Sequence, residues 1–227
     1  MNLNEHISSI PLFDGLPEEQ INDLAMIAES HLLEKGEIIF SEGDEGEGFY
    51  VVISGRVKIF KLSFEGKEQI LHILGPGEPF GEVPVFTGQR FPAHAEAIEK
   101  SRIFYFSRED LLQLIRKNPD IALNMLAVLS KRLRQFTSLI DDLSLKEVPG
   151  RLASHLLYLS ELQKGSRELE LTITKGQLAS LLGTIPETLS RILTKMAGQG
   201  FIESSGNKIK ILDREGLIAL ADSEARL

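Results

Sequence analysis

From Asp120 to about Leu145 the chain contains no glycine or proline, and its large apolar residues recur in steps of three and four. Leu126, Leu129, Leu133, Phe136, Ile140 and Leu143 fall on the a and d positions of roughly three heptads. A strict repeat of 3.5 residues asks for a second helix, so these six side chains are the expected interface of a parallel homodimer. The alternative is a helix packed on its own β domain. Lys131, Arg132 and Arg134 lie off the seam.

Whatever precedes this helix is built differently. Leu16 to Ala28 reads as a short helix with Pro17 in its first turn. Short β-type runs follow at Glu37–Phe40, Phe49–Ile53, Arg56–Leu62, Gln69–Leu74, Ala93–Ala97 and Arg102–Phe106, separated by glycine-bearing turns. Many short strands with frequent turns predict a jelly roll, sandwich or barrel. Alternating strand and helix is absent, which argues against a doubly wound nucleotide fold. Ser107, with Asp110 three residues on, predicts the cap of a lead-in helix that ends at Asn118-Pro119.

Charge divides the chain at the same place. The 227 residues carry a formal net charge of -8. From Glu147 onward ten acids balance ten bases, so the whole excess lies in residues 1–146, with 15 bases against 23 acids. Such a chain is no polycation, and a nucleic-acid partner would need a local basic face. Three segments are expected: a β-roll over 1–116, a dimerisation helix over 117–146 and a second domain over 147–227, with Glu147–Gly150 as the hinge. The fold class is α+β.

The last segment carries the clearest chemistry. Thr174 and Gln177 have capping-box spacing, so a helix starts near Lys175 and ends at Gly183. After the turn at Thr184-Ile185 a second helix runs to about Ala197, with Leu189, Ile192, Leu193 and Met196 as its buried face. Two short helices across a tight turn form a helix-turn-helix. Phe201–Glu203 and Lys208–Leu212 predict a hairpin wing. The second helix of such a unit enters the major groove with its first turns, which leaves Glu187, Thr188, Ser190, Arg191 and Lys195 facing double-stranded DNA. The Arg191 fork matches guanine O6 and N7, Glu187 can accept from cytosine N4, and Ser190 can reach a base edge or a phosphate. Lys195, Lys208 and Lys210 suit phosphates. Two plainer readings stand beside this one. Glu187 could close a capping box with Thr184, or pair with Arg191 at i,i+4.

The phrase SEGDEGEGFYVVISGRVKIF, the pair Gly81-Glu82, the long helix and the helix-turn-helix together resemble the cyclic-AMP receptor protein and fumarate–nitrate regulator (Crp/Fnr) superfamily, over nearly the whole chain. The E-x-x-S-R pattern of the fumarate–nitrate branch falls on Glu187, Ser190 and Arg191. Receptor-type members carry an arginine before that glutamate, where this chain has Pro186. The resemblance therefore implies a TTGA-type inverted repeat, with RNA polymerase as a further partner.

It also assigns effector sensing to the β-roll over 1–116, with a small-molecule effector site at Gly81, Glu82, Arg90, Phe91, Pro92 and Ala93. In members that bind cyclic nucleotides, glutamate holds the ribose hydroxyl and an Arg-Ser/Thr-Ala phrase holds the phosphate. Aligning Ala93 puts Phe91 at the arginine and Pro92 at the hydroxyl, with Arg90 one residue early. A phenyl ring offers a phosphate nothing, so cyclic AMP is not the expected effector unless a bulge returns Arg90 to the pocket. Other members that this sequence resembles bind haem and respond to nitric oxide or carbon monoxide, or bind organic effectors. Haem needs an axial ligand, most often histidine here. Five histidines are available: His6, His31, His72 in a β run, His94 beside the pocket, and His155.

The absence of cysteine excludes disulfides, zinc fingers, an iron–sulfur cluster held by thiolates and a cysteine nucleophile. A cupin-type metalloenzyme would need clustered ligands, and neither H-x-H nor H-E-x-x-H occurs. P-loop, G-x-S-x-G and G-x-G-x-x-G phrases are also lacking, so an enzyme is not expected. A nucleotide-sensing regulatory subunit without DNA work is the other class, and Glu187 with Arg191 weigh against it. No apolar run approaches the roughly 18–20 residues that span a membrane. MNLNEHISSI lacks the basic start and apolar stretch of a signal peptide, so a cytoplasmic protein is expected.

Overall fold

The computed structural model describes residues 3–8, 10–222 and 227. The chain divides between Leu133 and Arg134 into two compact units.

The first unit begins with α1 (Leu3–Ser8), a 3-10 turn at Pro11–Phe13 and α2 (Glu18–Ile27). Pro17 sits at the cap of α2, just outside the helix rather than in its first turn. Eight strands follow: β1 (Glu29–Leu33), β2 (Ile38–Phe40), β3 (Gly48–Ser54), β4 (Val57–Leu62), β5 (Glu68–Leu74), β6 (Pro79–Phe80), β7 (His94–Ala97) and β8 (Ser101–Ser107). Between β6 and β7 lies α3 (Val83–Thr87); after β8 come α4 (Arg108–Lys117) and the long α5 (Asp120–Leu145). The strands form two antiparallel four-stranded sheets, β1-β8-β3-β6 and β2-β7-β4-β5. This is the predicted β-roll.

The first sheet is covered on both faces. Phe49 and Val51 of β3, with Phe104 and Phe106 of β8, pack under the helices against Leu12, Leu24, Leu111 and Ile121. Their alternates Val52 and Ile103 face into the roll with Leu33, Phe40, Leu74, Phe80, Phe91 and Ala95. Burial on both sides explains why β3 and β8 read as nearly continuous apolar runs. Each fully buried Phe, Ile or Leu contributes about 1.5–3 kcal/mol of transfer free energy. As expected, the Ser107 hydroxyl caps α4, accepting from the Asp110 amide at 3.1 Å. The start of α5 is anchored by Ile121 and Met125 in the core under the first sheet.

In the second unit α5 gives way to α6 (Val148–Leu162), β9 (Glu168–Glu170), α7 (Lys175–Leu181), α8 (Pro186–Gly198), β10 (Ile202–Ser205), β11 (Lys208–Ile211) and α9 (Arg214–Ala221). Val148, Pro149 and Gly150, expected to form the hinge, are already the first turn of α6, because proline suits a helix start. The strands make one antiparallel sheet in the order β10-β11-β9. A single core joins Leu152 and Leu156 of α6, Leu178 of α7, Leu189, Leu193 and Met196 of α8, and Leu217 and Leu220 of α9.

Candidate nucleic-acid interface and effector pocket

The capping box forms as predicted. Thr174 Oγ1 accepts from the Gln177 amide at 3.2 Å, and Gln177 Oε1 accepts from the Thr174 amide at 2.9 Å. Gly183 takes φ 66°, a left-handed turn that glycine adopts without steric cost. Arg151, which the sequence did not single out, donates from Nη1 to the Leu182 carbonyl at 2.7 Å. It thereby satisfies and neutralises the end of α7 and fixes the turn into α8.

Helix α8 buries Leu189, Leu193 and Met196 and exposes Glu187, Ser190, Arg191, Thr194 and Lys195, with Thr188 half-buried. The structure thus brings the expected reading residues to one solvent face. The cap of α8 is Ile185, not Thr184, and it makes no side-chain cap bond, so the capping-box reading of Glu187 does not hold. The i,i+4 ion pair is not formed either. Arg191 Nε instead donates to the Glu187 carbonyl at 3.4 Å and Nη2 to the Thr188 hydroxyl at 3.2 Å. Both bonds are long, and Arg191 is exposed, so it can exchange them for a base edge at little cost. In the first turn of α8 the Glu187 carboxylate also complements the helix dipole. Lys195 Nζ donates to the Leu227 carbonyl at 2.8 Å.

The wing is a charge lattice rather than a basic patch. Lys208 stands opposite Glu170, and Lys210 stands between Glu168 and Glu203. Lys210 Nζ lies 3.8 Å from Glu168, an exposed pair of little energetic weight. On α8 itself the exposed bases are Arg191 and Lys195.

In the first unit, Gly81 has φ 73°, and a Cβ there would come 3.2 Å from the Phe40 and Tyr50 rings. Only glycine lets this turn pass so close to them. The turn delivers Glu82 into a buried position, where its carboxylate pairs with the Arg132 guanidinium from α5. Arg132 Nη2 also donates to the Pro79 carbonyl at 2.5 Å. Nothing in the sequence reading pointed to Arg132; its one signal was a basic residue off the heptad seam.

The segment 88–93 is irregular, not a strand. The sides still alternate: Phe91 and Ala93 are buried, Arg90 and Pro92 exposed. Arg90 turns outward, donating to the Gly43 carbonyl at 2.8 Å and to Glu45 at 2.7 Å. Phe91 lies inside the roll, stacked on Phe40. Gly46 closes the loop over it, since a Cβ there would come 2.5 Å from the Phe91 ring.

Near this cluster an open cleft of about 640 Å³ has Tyr50, Tyr105 and Phe91 in its wall and Glu37, Glu45 and Glu47 among its lining. Burial raises the Tyr50 phenol above its usual range, helped by Tyr105. A neutral aromatic wall with carboxylates beside it repels anions. His94 accepts the Glu42 amide at 3.2 Å and stacks on Phe60, while His72 lies 3.5 Å from Glu78. Both expected haem-ligand candidates thus have protein partners. Among the described residues no group of three or more His, Asp or Glu is arranged to hold a metal ion.

Comparison with known proteins fits this architecture. Residues 31–118 match the cyclic nucleotide-binding domain family, and residues 150–220 match the Crp-like helix-turn-helix domain. The chain is 37% identical to the Cyclic AMP receptor protein of Thermus thermophilus over 88% of this chain and 92% of that one. It is 31% identical to the Fumarate and nitrate reduction regulatory protein of Salmonella typhimurium, covering 95% and 88%. Among solved structures, FixK2 from Bradyrhizobium japonicum superposes with a TM-score of 0.74 at 27% identity, over 86% of this chain and 97% of that one. Fold, helix-turn-helix and relatives define a DNA-binding transcription regulator and not an enzyme. The chain belongs to the Crp/Fnr family. Among the described residues no helix is long and apolar enough to cross a membrane.

Proposed function

We propose that the protein is an effector-responsive, cytoplasmic regulator that binds a TTGA-type inverted repeat as a homodimer and acts on RNA polymerase. The observation that carries the reading is the joint exposure of Glu187, Ser190 and Arg191 at the start of α8, preceded by Pro186. Arg191 reads guanine, Glu187 accepts from cytosine, and Ser190 completes the contact. Pro186 offers no side-chain hydrogen bond, which favours the fumarate–nitrate type of half-site over the receptor type.

The dimer reading is supported by α5. Leu126, Leu133 and Ile140, spaced by seven, are 58%, 68% and 63% exposed in the single chain. An apolar row of this period is what a partner helix would cover. Two copies joined there would present two α8 helices to half-sites about 34 Å apart.

The effector is an organic molecule other than cyclic AMP. Although the Thermus relative is named for that ligand, the position where the resemblance expects a phosphate-binding arginine carries Phe91, whose ring is stacked on Phe40; Arg90 points outward, and Arg132 already neutralises Glu82. The effector works by binding two dimer arrangements with unequal affinity.

Fluorescence anisotropy with a labelled TTGA palindrome and a scrambled duplex tests this. The palindrome binds tighter, Arg191→Ala weakens it by about 1–3 kcal/mol, and Lys195→Ala lowers the salt slope by about 1. Cyclic AMP leaves all three isotherms unchanged. Equal binding to both duplexes would overturn the DNA reading; a cyclic-AMP-dependent rise in affinity would overturn the effector reading.

A further inference from the structure

We infer that Ile185 is a base-reading residue and that it recognises the C5-methyl group of a thymine. The inference deepens the DNA reading proposed above and rests on it.

Ile185 is the cap residue of α8, in extended backbone at φ -112° and ψ 154°. That position ordinarily takes Ser, Thr, Asp or Asn, whose side chain accepts an amide at the helix start, and isoleucine is among its poorest occupants. No side chain caps α8. Nor does burial offset this, because Ile185 remains 50% exposed. An isoleucine that neither caps nor fully packs stands in water at the end of the helix that enters the groove. Beside it Glu187 and Arg191 supply the polar functions, and Ile185 adds an aliphatic surface two residues before Glu187. In the major groove thymine alone presents an aliphatic group. A TTGA-type half-site offers three such methyls, two on the TTGA strand and one on the thymine opposite its adenine, and Ile185 would cover one.

Replacing thymine by deoxyuridine removes the methyl and keeps every hydrogen-bonding atom. Duplexes carrying deoxyuridine at one thymine position of both half-sites are titrated with the full-length chain and with Ile185→Ala and Ile185→Ser. For the wild type, one position loses about fourfold in affinity per half-site, the worth of one buried methyl. Both variants bind the thymine duplex as weakly as the wild type binds the substituted one, and deoxyuridine costs them nothing more. Ile185→Ser, which restores a capping hydroxyl, also raises the thermal midpoint, so lost reading is separable from lost folding.

A wild type indifferent to deoxyuridine at every position overturns the inference, as does a variant that keeps the full deoxyuridine loss. A wild type that binds no palindrome better than a scrambled duplex overturns the DNA reading beneath it.

Discussion

The ring of Phe91 lies flat on the ring of Phe40, centroids 3.8 Å apart and planes 7° from parallel. Phe40 belongs to the sheet, whereas Phe91 reaches it from the irregular segment before β7, held by backbone bonds between Phe91 and Gly43 and between Phe91 and Asp44. The stack therefore fixes the segment 88–93, turning Arg90 out and Ala93 in. It is the local reason that two aromatic rings, and no charged group, close the roll at this point.

Truncating Phe91 to alanine should accordingly cost about 3–5 kcal/mol, the loss of a buried ring plus the cavity it leaves. Urea unfolding of the full chain measures it. A loss under about 1 kcal/mol would mean that the ring packs loosely.

Glu82 and Arg132 make a second, separable prediction. Each is largely buried, so removing one leaves the other charged and unpaired. Glu82→Gln or Arg132→Met alone should cost about 2–4 kcal/mol, and the double variant should recover most of it. Strictly additive losses would show that the two groups do not interact.

His155 links stability to pH. Burial lowers its imidazole pKa to about 4, against a partial opposing pull from Asp142. With a folded value below the unfolded 6.5, the unfolded chain takes up a proton first as pH falls. His155 should therefore destabilise the fold progressively between about 6.5 and about 4, with no effect above that window. Unfolding at pH 7 and pH 4.5 for wild type and His155→Leu checks the sign. The variant should lose less stability on acidification, by up to about 2 kcal/mol. Parallel losses would refute the assignment.

For the helical seam, Ile140→Asp should give a monomer in sedimentation velocity with its helical content retained, because Ile140 is exposed in the single chain. Unchanged mass at micromolar concentration would remove α5 as the dimer contact.

Much of this was legible in sequence because it rests on local period and cap chemistry. Thr174 with Gln177, Ser107 with Asp110 and the Gly183 turn are short-range devices that need no tertiary knowledge. What escaped depends on contacts remote in sequence or on short elements. β1 runs Glu29–Leu33 with only Leu33 buried, so it carries no alternating signal. β6 and β9 are two and three residues long. Arg132 meets Glu82 across fifty positions, and Arg151 meets Leu182 across thirty-one. The acids beside the wing lysines come from the three-residue β9, which sets Glu170 opposite Lys208 and Glu168 opposite Lys210. Ile185 had a faint signal, a large aliphatic at a cap, that the reading of the turn passed over.

The central claim is that this chain reads a two-fold symmetric TTGA-type site through α8. Selection of bound duplexes from a random pool by the full-length protein, at about 150 mM salt so that non-specific phosphate binding is suppressed, tests it most directly. The expected result is enrichment of TTGA paired with its inverted complement, centres about one helical turn apart, and loss of the guanine preference in Arg191→Ala. Enrichment of an unrelated or asymmetric sequence, or of none, would contradict it.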